Sequence, residues 1–423
     1  MDKDQRKLLF LSSLGGILEF YDFIIFALFA SYISSAFFPT SDELASLMIT
    51  FATFAIGYLV RPLGGIIFGH FGDRVGRKST FTVSIFLMAV ATLGMGLIPT
   101  YNAIGISAPI IIIILRIVQG ISIGGEIPGA ITYVSESFSH YKGLACGIIF
   151  SALLLGIVLG SVVHATMVTI FNETQMNTYG WRIPFILGGI LGLLSYALRK
   201  ELTESKQFLK VEHSLEKFPI LAVFKNHFTY VLAGAFLAAL CAVIVSSLFL
   251  FNPSYLNKVL FLADNAFAWE RTLAITLGAI LTTIFGYLTD RIDVRKLVLV
   301  LGILTILLVY PIFAIYVSYS QFYFLAYIAS AVLLGFSAGI IPRLLSELFP
   351  TKIRYSGIAI SYNLGFAVFG GLTPFISLSL IYSTGWKTIP ALYLIFVSLL
   401  ALISLVYVWN RLKYNGRVNA HVF

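Results

Sequence analysis

Long apolar stretches separated by short polar connections fill almost the whole sequence. An α-helix needs about 20 apolar residues to cross the hydrocarbon core of a membrane, and twelve stretches come near or exceed that length. They cover approximately residues 9–37, 45–69, 79–98, 105–133, 143–170, 182–199, 227–252, 269–289, 296–317, 321–343, 355–382 and 387–410. The pattern predicts an all-α polytopic membrane protein with twelve transmembrane helices.

The longest polar connection, residues 199–225, follows the sixth stretch and divides the stretches into two groups of six. An internal repeat also indicates two related halves. The pattern Gly-x-x-x-Asp-Arg occurs at 69–74 and again 217 residues later at 286–291, and repeats of this kind are typical of transporters. We expect an N-terminal six-helix bundle (1–199), a cytoplasmic linker (200–225) and a C-terminal six-helix bundle (226–423).

Composition agrees with a membrane protein. Hydrophobic residues make up 59% of the chain, charged residues 11%, and the mean hydropathy is +0.94, whereas soluble domains carry about 25% charged residues. Cys146 and Cys241 lie in separate apolar stretches and suggest neither a disulfide framework nor a metal site. Phosphate-binding, zinc-ligand and nucleophile-elbow motifs do not occur. We therefore expect no enzyme activity, no bound metal and no cofactor.

The basic residues predict an orientation. Of the 28 lysines and arginines, 21 fall on the side that carries the N-terminus, and four fall on the other side: Arg182, Lys258, Arg271 and Lys387. The remaining three, Arg61, Arg116 and Arg343, lie inside predicted spans. Because cytoplasmic loops are enriched in basic residues, both termini are expected in the cytoplasm. The net charge of +9 is explained by this placement, so we expect no nucleic-acid partner.

Ionisable residues inside the predicted spans are candidates for function, because each costs at least ~2.5 kcal/mol at the bilayer centre. Asp22 and Arg116 both fall near the middle of the membrane and are expected to meet. In this interpretation Asp22, or Glu19 on the same face, exchanges a proton, while Arg116 holds it ionised or binds an anionic substrate group. Arg61 and Glu126 are expected to form a buried charge pair. The alternative is that all five are static ion pairs that lock helices together.

Other polar residues in the spans are weaker candidates for substrate binding. These are Tyr21, His164, Tyr362 and Asn363. Histidine can relay protons, and the tyrosine and asparagine side chains can donate to substrate oxygens. The alternative for each is a hydrogen bond between neighbouring helices. Since the C-terminal half offers Arg343 and few other charges, we expect a coupling site located mainly in the N-terminal half.

Charged residues at the predicted cytoplasmic ends of the helices are candidates for a cytoplasmic gate. Networks of such charges can hold the two halves together when the protein faces outward. The alternative is that they are solvated loop charges that only set the topology. The candidates are Gly69, Asp73, Arg74, Gly76, Arg77, Glu136, Asp290, Arg291 and Glu347.

Several motifs occur in a fixed order along the chain: Leu18 to Phe23, Arg61 to Lys78, Arg116 to Gly120, Gly124 to Glu126, Glu347 to Thr351 with Arg354, Tyr362-Asn363 and Gly370-Gly371. In these motifs the chain resembles the major facilitator superfamily, and within it the metabolite:proton symporter group. That group includes transporters for proline/betaine, 2-oxoglutarate, citrate and shikimate. The resemblance extends over nearly the whole length.

The resemblance implies the major facilitator fold, two pseudo-symmetric six-helix bundles, and a secondary active transporter. We expect import of a small polar metabolite, an organic acid or a zwitterion, with protons by alternating access, driven by the proton gradient without a cofactor. The partners would be the substrate and the lipid of a bacterial inner membrane, and the protein would be a monomer. A metabolite exporter or exchanger, or a non-transporting membrane sensor on the same scaffold, are the alternatives.

Overall fold

The computed structural model describes residues 3–75, 77–138, 141–200, 219–263, 267–349 and 354–418. Nearly all of them are helical. The helices, numbered by membrane crossing, are α1 (Lys3–Leu28 and Ala30–Phe37), α2 (Glu43–Leu59 and Arg61–Val75), α3 (Arg77–Leu97), α4 (Ser107–Ile123 and Glu126–Ser137), α5 (Lys142–Ile170), α6 (Arg182–Lys200), α7 (Pro219–Val245, continuing to Val259), α8 (Ala268–Thr289), α9 (Val294–Ser318), α10 (Tyr323–Leu348), α11 (Arg354–Leu364, continuing to Thr384) and α12 (Pro390–Val418).

Length and apolar composition qualify these helices as membrane spans. Within the described residues nine helices pass as single spans, and the two parts of α1 pass together although they are bent by 62°. The shorter apolar segments Val83–Leu97 in α3 and Arg182–Leu194 in α6 complete the set of twelve. The predicted fold class is therefore confirmed, with α7 beginning at Pro219, inside the connection that the sequence pattern treats as a linker.

An even number of crossings places the start of α1 and the end of α12 on the same face of the protein, called here the terminal face. Side-chain bonds agree with this arrangement. At the terminal face, Arg295 near the start of α9 donates to the carbonyl of Trp409 in α12 at 3.1 Å. At the opposite face, the Tyr255 hydroxyl in α7 donates to the carbonyl of Lys387, just before α12, at 2.7 Å.

Several of the helices are interrupted rather than straight. Wider π turns occur in α7 at Ser246–Leu250 and Tyr255–Val259, and in α11 at Gly365–Gly371. The two parts of α4 are separated at Gly124-Gly125. Such interruptions release backbone groups from the regular helical pattern, and inside membranes they are tolerated where protein or a cavity surrounds them.

Glycines set the closest helix contacts. A methyl group at Gly64 of α2 or at Gly120 of α4 would collide with the backbone of the other helix. Between the two bundles, a methyl group at Gly143 of α5 would collide with α8, and Gly371 of α11 lies against Tyr58 of α2. Small residues allow this close approach of backbones in a membrane, so α5 with α8 and α2 with α11 form the junction between the bundles.

Candidate functional site

Arg116 lies in the interior of the N-terminal bundle, on α4, and is fully buried. Its Nη1 donates to Oε1 of Gln119 at 2.6 Å and, more weakly, to the carbonyl of Phe23 at 3.4 Å. Its Nη2 donates to the carbonyl of Phe54 at 3.4 Å. All of these acceptors are neutral, and within the described part of the chain no carboxylate pairs with Arg116. The guanidinium group is thus held in place without a compensating negative charge.

Aromatic rings surround this guanidinium group and that of Arg61. The Cζ of Arg116 lies 4.3 Å from the ring centroid of Phe23 and 4.5 Å from that of Phe26. The Cζ of Arg61, on α2, lies 4.2 Å from the same Phe23 ring and 4.0 Å from the Tyr58 ring. Cation–π contacts stabilise each cation, but two positive charges around one buried ring repel each other. The arrangement favours an anion close to both.

Asp22 is buried but points away from Arg116, into the space between α1, α3 and α6. A methyl group at Gly188 of α6 would collide with its Oδ1, and among the described residues this atom has no hydrogen-bond partner. The expected direct meeting of Asp22 and Arg116 is therefore not what the structure contains. They are connected through Gln119, whose Nε2 donates to the backbone carbonyl of Asp22 at 3.3 Å and to Oγ1 of Thr92 at 2.7 Å.

The C-terminal bundle contributes α11 to this region. Tyr362 is buried and stacks on Phe366 with 4.2 Å between ring centroids, and its hydroxyl makes no hydrogen bond to any residue that the structure describes. The charged side chains of Arg61 and Glu19 lie close enough to interact electrostatically with this hydroxyl. Asn363 instead donates to the carbonyl of Gly124 at 2.8 Å, which joins α11 to the interruption in α4. The Tyr362 hydroxyl thus has an unused donor among the described residues, while Asn363 connects the bundles.

Two of the predicted substrate-binding residues lie elsewhere. The Tyr21 hydroxyl donates to the carbonyl of Pro184 at 2.9 Å, so this side chain fastens α1 to α6 and is removed from the candidate site. His164 of α5 lies 3.1 Å from Nη2 of Arg271 on α8, measured to its Nδ1. It therefore belongs to a contact between the bundles rather than to the surroundings of Arg116.

A charge network joins the bundles at the terminal face. Both carboxylate oxygens of Asp290, at the end of α8, accept hydrogen bonds from the first backbone N–H groups of α5, at Gly143 (2.8 Å) and Leu144 (2.9 Å). Asp290 also pairs with Arg343 of α10. Arg343 in turn donates to Glu347 at 2.8 Å. Arg343, expected as the main charge within the C-terminal half, thus belongs to this network.

Of the other predicted gate residues, only Arg291 has a side chain that the structure describes. Arg291 is exposed, and its Cζ lies 5.0 Å from the ring centroid of Tyr287 on its own helix, so its described contact does not cross between the bundles. The remaining candidates, together with Glu126, lie outside the residues that the structure describes at the level of side chains: Gly69, Asp73, Arg74, Gly76, Arg77 and Glu136.

The sequence reasoning missed two residues of importance. Gln119 was overlooked, although it follows Arg116 by one helical turn, the spacing that places two side chains on the same face. Arg271 was counted only among the basic residues on the side opposite the N-terminus, yet it is 1% exposed. Its position close to the start of an apolar stretch does not reveal this burial, because the burial depends on the packing of α8 against α5 and α10.

The fold and these buried charges define the class of protein: a polytopic transporter with two helical bundles around charged groups at membrane depth. The family model of the Major Facilitator Superfamily matches residues 12–269 and 253–422. The chain belongs to the major facilitator superfamily. The prediction of a secondary active importer rather than an enzyme agrees with this family and with the relatives described next, and the apolar helices and the same relatives support a multi-pass protein of a bacterial inner membrane.

Curated relatives and solved structures agree with this assignment. The chain is 30% identical over 409 residues to the citrate-proton symporter of Klebsiella pneumoniae, covering 94% of this chain and 90% of that protein. It is 32% identical over 422 residues to a putative proline/betaine transporter of Staphylococcus aureus, with 96% and 88% covered. The partially occluded inward-open xylose transporter of E. coli superposes with a TM-score of 0.74 at 16% identity, with 97% and 98% covered.

Proposed function

We propose that this chain imports a small carboxylate-bearing metabolite together with protons, and that Arg116 and Arg61 bind the carboxylate. The observation that carries the proposal is the pair of buried guanidinium groups around the Phe23 ring, of which Arg116 has only neutral partners. A buried cation without a countercharge is costly, and a planar guanidinium group suits a carboxylate. The relatives named for citrate, proline and betaine all carry solutes with a carboxylate group.

The remaining binding contacts come from both bundles. The Tyr362 hydroxyl has no hydrogen-bond partner among the described residues and lies close to Arg61. It donates to the second oxygen of the substrate carboxylate. Gln119 fixes the plane of the Arg116 guanidinium group through its 2.6 Å bond. In this proposal the N-terminal bundle (1–199) and the C-terminal bundle (226–423) are joined by the linker 200–225. A ligand that contacts both Arg116 and Tyr362 connects the two bundles, and so it favours the closed arrangement of the two halves.

Asp22, with Glu19 one turn before it, carries the coupling proton in this proposal. A buried carboxylate oxygen without a donor is far less costly when the group is protonated and neutral. Deprotonation then demands a rearrangement of α1 against α6, where glycines leave the space beside the carboxylate. Because Gln119 connects the backbone of Asp22 with Arg116, this movement is transmitted to the substrate site. The proton gradient supplies the energy, and no cofactor takes part.

Further parts of the proposal concern orientation and gating. The terminal face is cytoplasmic, with both chain ends inside, as the distribution of basic residues favours. The network of Asp290, Arg343 and Glu347 forms the cytoplasmic gate, to which the 69–77 segment, Glu136 and Arg291 also belong. The protein works as a monomer and has no nucleic-acid partner.

The experiment is uptake into proteoliposomes of labelled citrate, proline, betaine and the uncharged sugar xylose, with and without an inward proton gradient. We expect gradient-driven accumulation of at least one carboxylate and none of xylose. Arg116→Lys should raise the KM at least tenfold, because a lysine cannot form the planar double contact. The matched control is Arg182→Lys, since Arg182 donates to the carbonyls of Gly96 and Ile98 at the opposite face.

Two results would overturn the proposal. One is the absence of accumulation of every carboxylate under a proton gradient. The other is equal transport by the Arg116→Lys and Arg182→Lys variants, since this would mean that the Arg116 guanidinium group does not contact the substrate.

A further inference from the structure

We propose that His164 and Arg271 form a second, proton-linked carboxylate subsite, in which His164 takes up a proton at Nδ1 while Arg271 passes from His164 to a substrate carboxylate. The subsite joins α5 of the N-terminal bundle to α8 of the C-terminal bundle. It deepens the proposed function and rests on it, because it uses the same class of substrate and the same coupling ion.

The geometry fixes the protonation state of His164. Arginine side chains only donate hydrogen bonds, so the 3.1 Å contact between Nη2 of Arg271 and Nδ1 of His164 requires an unprotonated Nδ1. The imidazole is therefore neutral, with its hydrogen on Nε2. Both side chains are buried, at 1% and 2% exposure. A proton from the aqueous phase that binds Nδ1 turns the acceptor into a donor and places two cations side by side, which breaks the contact.

Arg271 has the properties of an anion site that lacks its anion. Its Nε makes no hydrogen bond, and in the described part of the chain no carboxylate pairs with it. Several helices of the C-terminal bundle surround Arg271. Tyr316 of α9 and Tyr327 of α10 interact with it electrostatically. The Tyr327 hydroxyl also donates a hydrogen bond to Oδ1 of Asn252 on α7 at 2.8 Å. A substrate carboxylate would supply the missing negative charge.

The other titratable groups around His164 and Arg271 neither pair with Arg271 nor take up the coupling proton. Glu270 precedes Arg271 on α8 and acts on it weakly from a half-buried position. From α1 the residue against His164 is Phe29, whose ring centroid lies 4.9 Å from that of the imidazole. Tyr316 and Tyr327 are phenols that stay protonated at neutral pH. Of these described groups, His164 is thus the one that can take up a proton and gain a positive charge.

Helix α1 connects this subsite with Arg116. Phe26 lies against Arg116 and Phe29 against His164, and residues three apart are separated by about 4.5 Å along a helix. The bend of 62° between the two parts of α1 falls at Phe29. The Arg116 site and the His164–Arg271 subsite therefore contact aromatic residues one helical turn apart on α1, and the bend of α1 lies beside the second of them.

The consequence is coupling of proton and substrate. Protonated His164 and Arg271 together attract an anion, so carboxylate binding favours protonation, and protonation favours carboxylate binding to the same degree. With neither bound, the His164–Arg271 contact and the neighbouring bond between Ser161 and Thr272 at 2.7 Å keep α5 and α8 joined.

The test uses the full-length protein in proteoliposomes, with citrate and betaine as probes between pH 5.5 and 7.5. His164→Asn retains an acceptor for Arg271 but does not bind a proton. We expect it to keep citrate or betaine exchange, to lose at least tenfold in gradient-driven accumulation, and to lose the dependence of KM on pH. Arg271→Lys should raise the KM at least tenfold. His227→Asn, at a half-buried position at the kink within α7, is the matched control and should behave as wild type.

The outcomes separate this inference from the proposed function. If Arg116→Lys impairs uptake while His164→Asn keeps the accumulation and pH profile of wild type, the subsite is refuted and the proposed function stands. If the wild type accumulates neither these two probes nor proline, both fail. Should His164→Asn not fold, Arg271→Lys decides: an unchanged KM overturns the subsite. Calorimetry adds a readout independent of transport, with about one proton fewer taken up per bound citrate in His164→Asn than in wild type.

Discussion

The carboxylate of Asp290 accepts a hydrogen bond from the backbone N–H of Gly143 at 2.8 Å, and this bond crosses from the C-terminal to the N-terminal bundle. The second oxygen accepts from Leu144, so Asp290 caps the first turn of α5, where the helix dipole favours negative charge. A methyl group at Gly143 would collide with α8. Only glycine at this position allows the carboxylate to reach the helix end.

Asp290→Asn should open the terminal face. Hydrogen bonds to a charged group contribute about 1.5–3 kcal/mol. An asparagine side chain can accept a hydrogen bond only through its oxygen, so one of the two bonds to α5 is lost. We expect the open population to rise at least tenfold. Cys146 reports this change, because it is buried on α5 and lies close to Asp290, Arg343 and Glu347. The measurement is the rate of maleimide labelling of Cys146 in a Cys241→Ser background.

The control for that measurement is Asp293→Asn on the same face. Asp293 precedes α9 and pairs with Arg295, which holds the pKa of its carboxyl below the usual value. This pairing stays within the C-terminal bundle. Labelling of Cys146 that increases equally in Asp290→Asn and Asp293→Asn would contradict a gate at Asp290.

The helices were predictable from the sequence because the membrane imposes a simple rule. Each span must satisfy its own backbone hydrogen bonds and cover about 30 Å of hydrocarbon, so apolar length alone locates it. Chain interruptions were not predictable in the same way. The bend at Phe29 and the π turns at Gly365–Gly371 depend on which neighbouring helix packs against the released backbone.

The site was predictable in its residue types but not in its pairings. The cost of charge in lipid singled out Asp22 and Arg116, and both are buried. Which way a side chain points depends on the rotation of its helix, and a small rotation directs Asp22 to Gly188 of α6 instead of to Arg116. The burial of Arg271 was not predictable, since it arises from the packing of α8 against α5 and α10, and neither helix is adjacent to α8 in the sequence.

Gln119→Leu should weaken substrate binding without unfolding the protein. The leucine has a similar volume but removes the 2.6 Å acceptor of Arg116, which leaves the guanidinium group free to turn. A bond to a charged group contributes about 1.5–3 kcal/mol, so we expect the KM for the carboxylate to rise about tenfold or more. The KM is measured by initial uptake rates in proteoliposomes.

Thr92→Val provides a graded comparison for Gln119→Leu. It removes one of the two acceptors of Nε2 of Gln119, together with the bond that Thr92 donates to the carbonyl of Met88 within its own helix. The bond between Gln119 and Thr92 joins neutral groups and contributes about 1 kcal/mol. We expect a rise in KM of about fivefold. A larger effect of Thr92→Val than of Gln119→Leu would mean that Gln119 does not act by orienting Arg116.

Gly188→Ala should separate proton coupling from substrate binding. The added methyl group occupies the space beside Oδ1 of Asp22 and must displace the carboxylate. We expect gradient-driven accumulation to fall at least tenfold while exchange of substrate continues. Gly160→Ala on α5 is the control, because its methyl group would meet only flexible side-chain atoms of Leu28, Ile25 and Tyr21 at 3.3 Å or more. Equal loss of accumulation in both variants would argue against a role of Asp22.

Glu43→Gln should leave transport nearly unchanged, although Glu43 bridges the bundles at the opposite face. Its Oε2 lies 2.9 Å from Nζ of Lys258, but the Glu43 side chain is 77% exposed, and exposed ion pairs contribute 0–1 kcal/mol. We expect uptake rates within about twofold of wild type at 0.15 M salt. Because the buried His164–Arg271 contact holds the same two bundles, its loss should matter more. A tenfold effect of Glu43→Gln would assign closure of this face to the surface pair instead.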